Sequence, residues 1–300
     1  MTNYTFTNDV LRQDLSKIPS DTTELSFDDD FNQSIKAGEL PPSLKKLTLS
    51  ARFNSEIELG AIPEGLEEID FGQDYDRPIV PGLLPKSIKK IILSYHFKQE
   101  LEIGSIPDGT EEIDFGFYFN CPIVPGLLPR SIKRIRTSYC LDQKLDNGSI
   151  PEGVEEIEFG YYYRQAIIPG LLPKSVKRLF LSCIYDNQLG AGSIPDGLQE
   201  IVIGRNYHGS FENIPKTTKI LSHCYIPDIK YTLIYNGDHL DHHKSKIGDD
   251  YKVGDVYSYR NYSAVDVEPI KRTIEVDYEA LKSIKKTINA LVEEIAKLHQ

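Results

Sequence analysis

Apolar residues in this chain recur in a pattern keyed to proline. Pro19, Pro41, Pro63, Pro85, Pro107, Pro129, Pro151, Pro173 and Pro195 follow one another every 22 residues, and Pro215 follows after 20. Ile or Leu precedes each of them, from Ile18 and Leu40 to Ile194 and Ile214. In most units the third, sixth and eighth residues past the proline are apolar, as in Leu44/Leu47/Leu49, Leu66/Ile69/Phe71, Ile88/Ile91/Leu93, Val154/Ile157/Phe159 and Leu198/Ile201/Ile203. Two more apolar columns follow: Phe53, Tyr75, Phe97, Phe119, Leu141, Tyr163, Tyr185 and Tyr207, then Ile57, Ile79, Leu101, Ile123, Leu145, Ile167, Leu189 and Phe211.

A unit this short cannot bury its own apolar side, but stacked units bury one another's. Proline breaks any helix at its position, and the glycine that recurs three residues ahead of it, from Gly38 to Gly192, permits a tight turn. No unit carries an apolar period long enough for a helix. The LxxLxL spacing is that of a leucine-rich repeat. It predicts a repeat solenoid with a parallel β-sheet of about ten coils and few or no helices in the repeats.

Adjacent units differ, so the full period is 44. Leu-Pro units carry bases four and five residues on (Lys45-Lys46, Lys89-Lys90, Lys133-Arg134, Lys177-Arg178), whereas Ile-Pro units carry Glu67-Glu68, Glu111-Glu112, Glu155-Glu156 and Gln199-Glu200. Stacked at about 4.8 Å, each basic pair lies between acidic ones. The pattern reads as a salt-bridge ladder that fixes coil register, each exposed pair contributing about 0.2–1 kcal/mol. Read instead as a docking strip, its alternating signs would cancel most of its field, so the ladder is preferred.

Position seven is irregular: Thr48, Asp70, Ile92, Asp114, Arg136, Glu158, Phe180, Val202. In leucine-rich repeats it faces solvent, so Ile92, Phe180 and Val202, together with Arg136, form a candidate protein-binding surface. Position ten adds Tyr95, Phe117, Tyr139 and Tyr161, followed by Tyr118 and Tyr162. These aromatics are either a stacked ladder stiffening the turn or a binding strip, since tyrosine covers interface area at low entropic cost.

The chain divides into an N-terminal cap (1–17), the solenoid (18–223), a C-terminal cap region (224–270) and a terminal segment (271–300). In the cap region, 229–235 alternates like a strand, 236–250 reads as a long polar loop, and 253–267 suggests two short strands. His239, His242 and His243 in the loop are zinc-ligand types, but the cluster is local and has no second ligand pair, so a solvated loop is preferred. Residues 276–298 read as a helix. Leu281, Ile284, Ile288, Leu291, Ile295 and Leu298 alternate by three and four, the seam of a coiled coil. The helix either pairs with another copy or lies against the cap, and a homodimer is the preferred reading.

The units resemble FNIP repeats, a leucine-rich-repeat subclass of social amoebae and of large DNA viruses of protists. Phe211-Glu212-Asn213-Ile214-Pro215 is close to the motif itself. The resemblance implies an interaction module, in a virus acting in the host cytoplasm. Some relatives place an F-box ahead of the repeats, which would imply a ubiquitin-ligase adaptor. Here only 17 residues precede Ile18, so that role is not expected.

Charge and composition narrow the function further. A net charge of −11 disfavours nucleic acid. No signal peptide or membrane-spanning run is visible. The four cysteines form no CxxC pair, which suits a reducing cytoplasm. No phosphate loop, GxSxG or HExxH occurs, so neither enzyme chemistry nor a cofactor is expected. The expectation is a scaffold that binds a protein partner. A structural or assembly component, acting as a rigid spacer, is the alternative.

Overall fold

The computed structural model describes residues 3–6, 15–28, 30–204, 207–226, 229–236 and 239–245. Two compact units divide between Thr218 and Lys219.

The first unit is a parallel β-solenoid. Its strands are β1 (Asn3–Phe6), β2 (Glu24–Phe27), β3 (Lys46–Thr48), β4 (Glu68–Asp70), β5 (Lys90–Ile92), β6 (Glu112–Asp114), β7 (Arg134–Arg136), β8 (Glu156–Glu158), β9 (Arg178–Phe180) and β10 (Glu200–Gly204). Each pairs in parallel with the next, in chain order. From β2 to β10, residues one repeat apart stand opposite each other, as in Leu47↔Ile69 and Ile91↔Ile113. Among the described residues the only helical piece is a 3₁₀ turn at Leu15–Lys17, ahead of the repeats. The predicted solenoid is therefore present.

Most strands are three residues long, with a buried centre and half-buried flanks. So short a strand is stable only because neighbouring coils supply the rest of its surroundings. Leu44, Leu47, Leu66, Ile69, Phe71, Ile88 and Ile91 are fully buried, as are Phe53 and Phe97 of the second column. The aromatics of that column stack through the interior, with Phe31–Phe53 and Phe53–Tyr75 centroids 5.9 and 5.8 Å apart. Burial pushes the Tyr75 phenol up to about 12.

Polar side chains stitch the coils together where the backbone leaves the sheet. Asn32 Oδ1 accepts from Asn54 N, Asn54 Oδ1 from Asp76 N, and Asp76 Oδ1 from Lys98 N, at 2.8, 3.1 and 2.8 Å. Position nine alternates between serine and glycine. The buried Ser50, Ser94 and Ser138 hydroxyls donate to the carbonyls of Phe31, Tyr75 and Phe119. Gly116, at φ +71°, packs so tightly that a Cβ there would collide with the Ser94 carbonyl oxygen. Only glycine meets both demands.

Position-sixteen side chains are buried from Ile57 to Leu189, but Phe211 is 45% exposed. The last interval is two residues short, so the chain turns to Pro215 before Phe211 can occupy its expected place.

The second unit begins with β11 (Lys219–Ile226), β12 (Ile229–Asn236) and β13 (His239–Ser245), an antiparallel meander. The strand expected at 229–235 is there. The loop expected over 236–250 is corrected, since His239–Ser245 is paired along β12, which satisfies the backbone groups of a segment whose polar composition suggested a loop. The side chains of His239, His242 and His243 lie outside the described residues. So do the expected strands at 253–267, the helix at 276–298 and its seam from Leu281 to Leu298.

Candidate interaction surface

The parallel register places position five of each coil against that of the next, in the order Glu24, Lys46, Glu68, Lys90, Glu112, Arg134, Glu156, Arg178, Glu200. The charges close across the rungs. Lys46–Glu68 is 3.0 Å, Arg134–Glu112 2.6 Å and Arg178–Glu156 2.8 Å; Arg134 and Arg178 reach their other neighbours at 3.6 Å, and Lys90 lies 3.9 Å from both of its own. Lys45–Glu67 and Lys177–Glu155 repeat the arrangement at position four, both at 2.8 Å. The predicted ladder forms, and its charges are spent on one another.

Position seven is less exposed than expected. Ile92 is half-buried, with Asp70 and Asp114 opposite it on the two adjoining rungs. Both aspartates turn back on their own chain, accepting from Gly72 N and Gly116 N at 2.9 Å. Phe180 is also half-buried, with the Arg178 guanidinium 5.2 Å from its ring centroid. Val202, expected on the surface, is buried. It lies within the longer strand β10, and the broad Phe180 ring is its register partner.

Arg136 is engaged by its neighbours. Its Nε lies 2.8 Å from Glu158 and its Nη1 3.2 Å from Asp114. Burial pushes the Asp114 carboxyl up, against the pull of Arg136 and of the Gly116 N–H. For Arg136 itself, burial acts to lower the value, but Glu158 and Asp114 outweigh it and hold it up. Arg136 is thus the central member of a triad rather than an open docking group.

Tyr95, Phe117, Tyr139 and Tyr161 come together as one ladder of half-buried rings. Successive centroids are 4.4, 4.4 and 5.0 Å apart, and the last two steps are within 9° of parallel. Rung spacing matches the thickness of stacked rings, so the backbone sets the ladder and each ring needs to choose only one rotamer. A second row stands on it. Tyr118 meets Tyr95 edge-on at 89°, and Tyr162 meets Tyr139 at 90°. These two tyrosines keep 38% and 44% of their surface exposed. The inner row is stacked and half-buried, and the outer row is exposed.

One apolar feature escaped the sequence reading. Leu59 and Ile103, eighteen residues past their prolines, are 63% and 66% exposed, with Val80 and Val124 in the adjoining column. The signal was present, since Pro81, Pro125 and Pro169 continue the same line.

No helix among the described residues is long and apolar enough to cross a membrane, and no cluster of metal-ligand residues occurs among them. No curated protein matches the chain. The structure is similar to that of CroV588, a circular leucine-rich-repeat protein of a giant virus, with a TM-score of 0.66 and 24% identity. The similarity covers 73% of this chain and 31% of CroV588, so it speaks to the fold alone. The FNIP repeat family matches at residues 13–52, 31–74, 53–96, 75–118, 97–140 and 142–183. Those matches run over more than half of the chain and coincide with the coils that build the sheet: the chain belongs to the FNIP-repeat family.

Proposed function

We propose that the solenoid is a non-catalytic scaffold that binds a protein partner through its aromatic edge, with Ile92 and Phe180 beside it on the strand face. The observation that carries this reading is the pair Tyr118 and Tyr162. They are large exposed rings held on a rigid stacked base, on a molecule whose strand-face charges are already paired. Preorganised tyrosines lose little entropy on binding. Cys121 and Cys140 are free thiols, which accords with the cytoplasm as the setting, the host's if the chain is viral. The seam from Leu281 to Leu298 is proposed to pair two copies and so to raise valency.

A rigid spacer is the second reading, favoured by the self-satisfied charge ladder. Affinity capture from the native cell separates the two. A partner retained by the wild-type chain and lost by Tyr118→Ser/Tyr162→Ser/Ile92→Asn, at unchanged circular dichroism, supports the scaffold. A partner indifferent to all three substitutions rejects this surface and leaves the spacer.

A further inference from the structure

We propose that the aromatic edge takes a proline-rich segment in the polyproline II conformation, laid along the stack of coils with prolines on Tyr118 and Tyr162. This rests on the scaffold reading above and adds the class of partner.

Position eleven runs His96, Tyr118, Cys140, Tyr162, Ile184. The small, half-buried Cys140 stands between two exposed tyrosines in this column. The two are built alike. Tyr118 N donates to Tyr95 O at 3.0 Å and Tyr162 N to Tyr139 O at 2.9 Å, and each ring stands at a right angle to the ladder ring one rung before it, 5.3 Å away. The ladder rings stack face to face along the solenoid, so rings perpendicular to them have their planes along the stacking direction. Tyr118 and Tyr162 thus share this tilt two rungs apart, Tyr118 with the parallel His96 ring 5.4 Å away and Lys98 Nζ 5.2 Å from its centroid.

Two rungs span about 9.6 Å. A polyproline II helix advances about 3.1 Å per residue with three residues per turn, or about 9.3 Å between prolines on one face. An extended strand, at about 6.8 Å between residues of one face, falls out of step with that pair. Proline-rich segments also enter binding already ordered, and aromatic-lined surfaces suit them.

Charge narrows the choice further. His96–Asp74 at 2.9 Å and Arg164–Asp142 at 3.2 Å close the flanks of the strip, and the Lys98 ammonium stands 5.2 Å from the Tyr118 ring centroid. Nucleobases could stack on such rings, but a chain of net charge −11 repels the phosphates that carry them. The same charge favours a proline-rich segment flanked by lysine or arginine.

The test is fluorescence anisotropy of labelled decaproline with an arginine at each end, titrated with the full chain. Saturable binding is expected. It should weaken about tenfold or more with Tyr118→Ser or Tyr162→Ser, and remain unchanged with Leu59→Ser, in a different column. A peptide with prolines at every third position should bind as decaproline does, and one with prolines at every fourth position should bind more weakly. No saturation at millimolar peptide, binding insensitive to both tyrosines, or better binding of cellohexaose or oligothymidine overturns the proposal. If proline peptides fail while a cell-captured partner still depends on Tyr118 and Tyr162, the partner class is wrong and the scaffold stands. If the captured partner is also indifferent, both readings fall.

Discussion

Arg136 was singled out by its sequence position as a docking residue, and the structure makes it the middle of a charge triad, a difference that can be measured. Arg136→Met keeps the length of the side chain and removes its charge. Two ion pairs are lost, at 2.8 and 3.2 Å, from a guanidinium 36% exposed to carboxylates 38% and 24% exposed. At such exposure the pairs contribute about 0.2–1 kcal/mol each. The loss also leaves Asp114 and Glu158 uncompensated two rungs apart, about 9.6 Å. Their mutual repulsion, about 1–2 kcal/mol at an effective dielectric between 20 and 40, is present in both chains and cancels in the comparison. Because both pairs are partly buried they lie toward the upper end of that range, and together they give a destabilisation of about 1–2 kcal/mol at pH 7, before any relaxation. The same change at Arg134, whose side chain is 53% exposed and whose second pair, with Glu156, is stretched to 3.6 Å, should cost only about 0.5 kcal/mol.

The pH dependence has a definite sign. Burial already raises Asp114 above its ordinary value with Arg136 present, and removing the cation raises it further. In the variant the folded chain therefore binds protons more readily than wild type does, so its relative stability improves as pH falls from neutral towards about 4, the ordinary aspartate value. Urea unfolding at pH 7 and pH 4, followed by far-ultraviolet circular dichroism, reads both effects. A cost at pH 7 no larger than that of Arg134→Met, or one that grows on acidification, refutes the triad.

Two further substitutions test the stacking. Gly116→Ala should cost about 1–2 kcal/mol for its left-handed backbone and more for the collision with the Ser94 carbonyl, whereas Gly82→Ala, at φ +87° with open space around it, should show the backbone cost alone; equal urea midpoints would reject the close approach. Lys90→Glu sets three acids in a row with Glu68 and Glu112 and should cost about 1–2 kcal/mol at low ionic strength. Roughly half of that should vanish near 1 M salt, and a salt-independent cost would mean that the ladder does not act through charge.

The coil path was legible because each inward position is occupied by the same kind of residue in every unit. Leu47, Ile69, Ile91 and Ile113 are interchangeable copies of one instruction, and repetition averages away the ambiguity that a single three-residue strand would carry. The charge ladder was legible for the same reason. Misreadings concentrate where repetition ends. Val202 lies in the last and longest strand of the repeat series, and Phe211 lies in the shortened interval. Other signals were visible but went unread, because their meaning depends on which backbone groups face each other. Asn54, Asp76, Asn120 and Asp142 recur at position thirteen, and serine alternates with glycine at position nine. Only the stacked geometry shows that the first set accepts hydrogen bonds from the next coil and that the second makes room for it. Ring orientation at Tyr118 and Tyr162 lay beyond reach altogether, since it depends on side-chain rotamers that the ladder beneath them selects.

The alternations at positions four, five and nine share one period, and it is two coils, not one. A basic coil carries serine at position nine, and an acidic coil carries glycine. The serine hydroxyl reaches the carbonyl of the coil before it, and the serine carbonyl sits where the glycine of the coil after it leaves room. Register is therefore enforced twice in each pair, once by charge and once by shape. Shifting any coil by one place sets acid on acid and serine on the space meant for glycine. Gain or loss of a single coil incurs the same conflict at the junction, whereas a pair can be added or removed with the sequence rule intact. A surface built this way presents like positions at two-rung intervals. That is why Tyr118 and Tyr162, one full period apart, stand at the same angle to the ladder, and why the ligand proposed for this edge is one with a matching repeat.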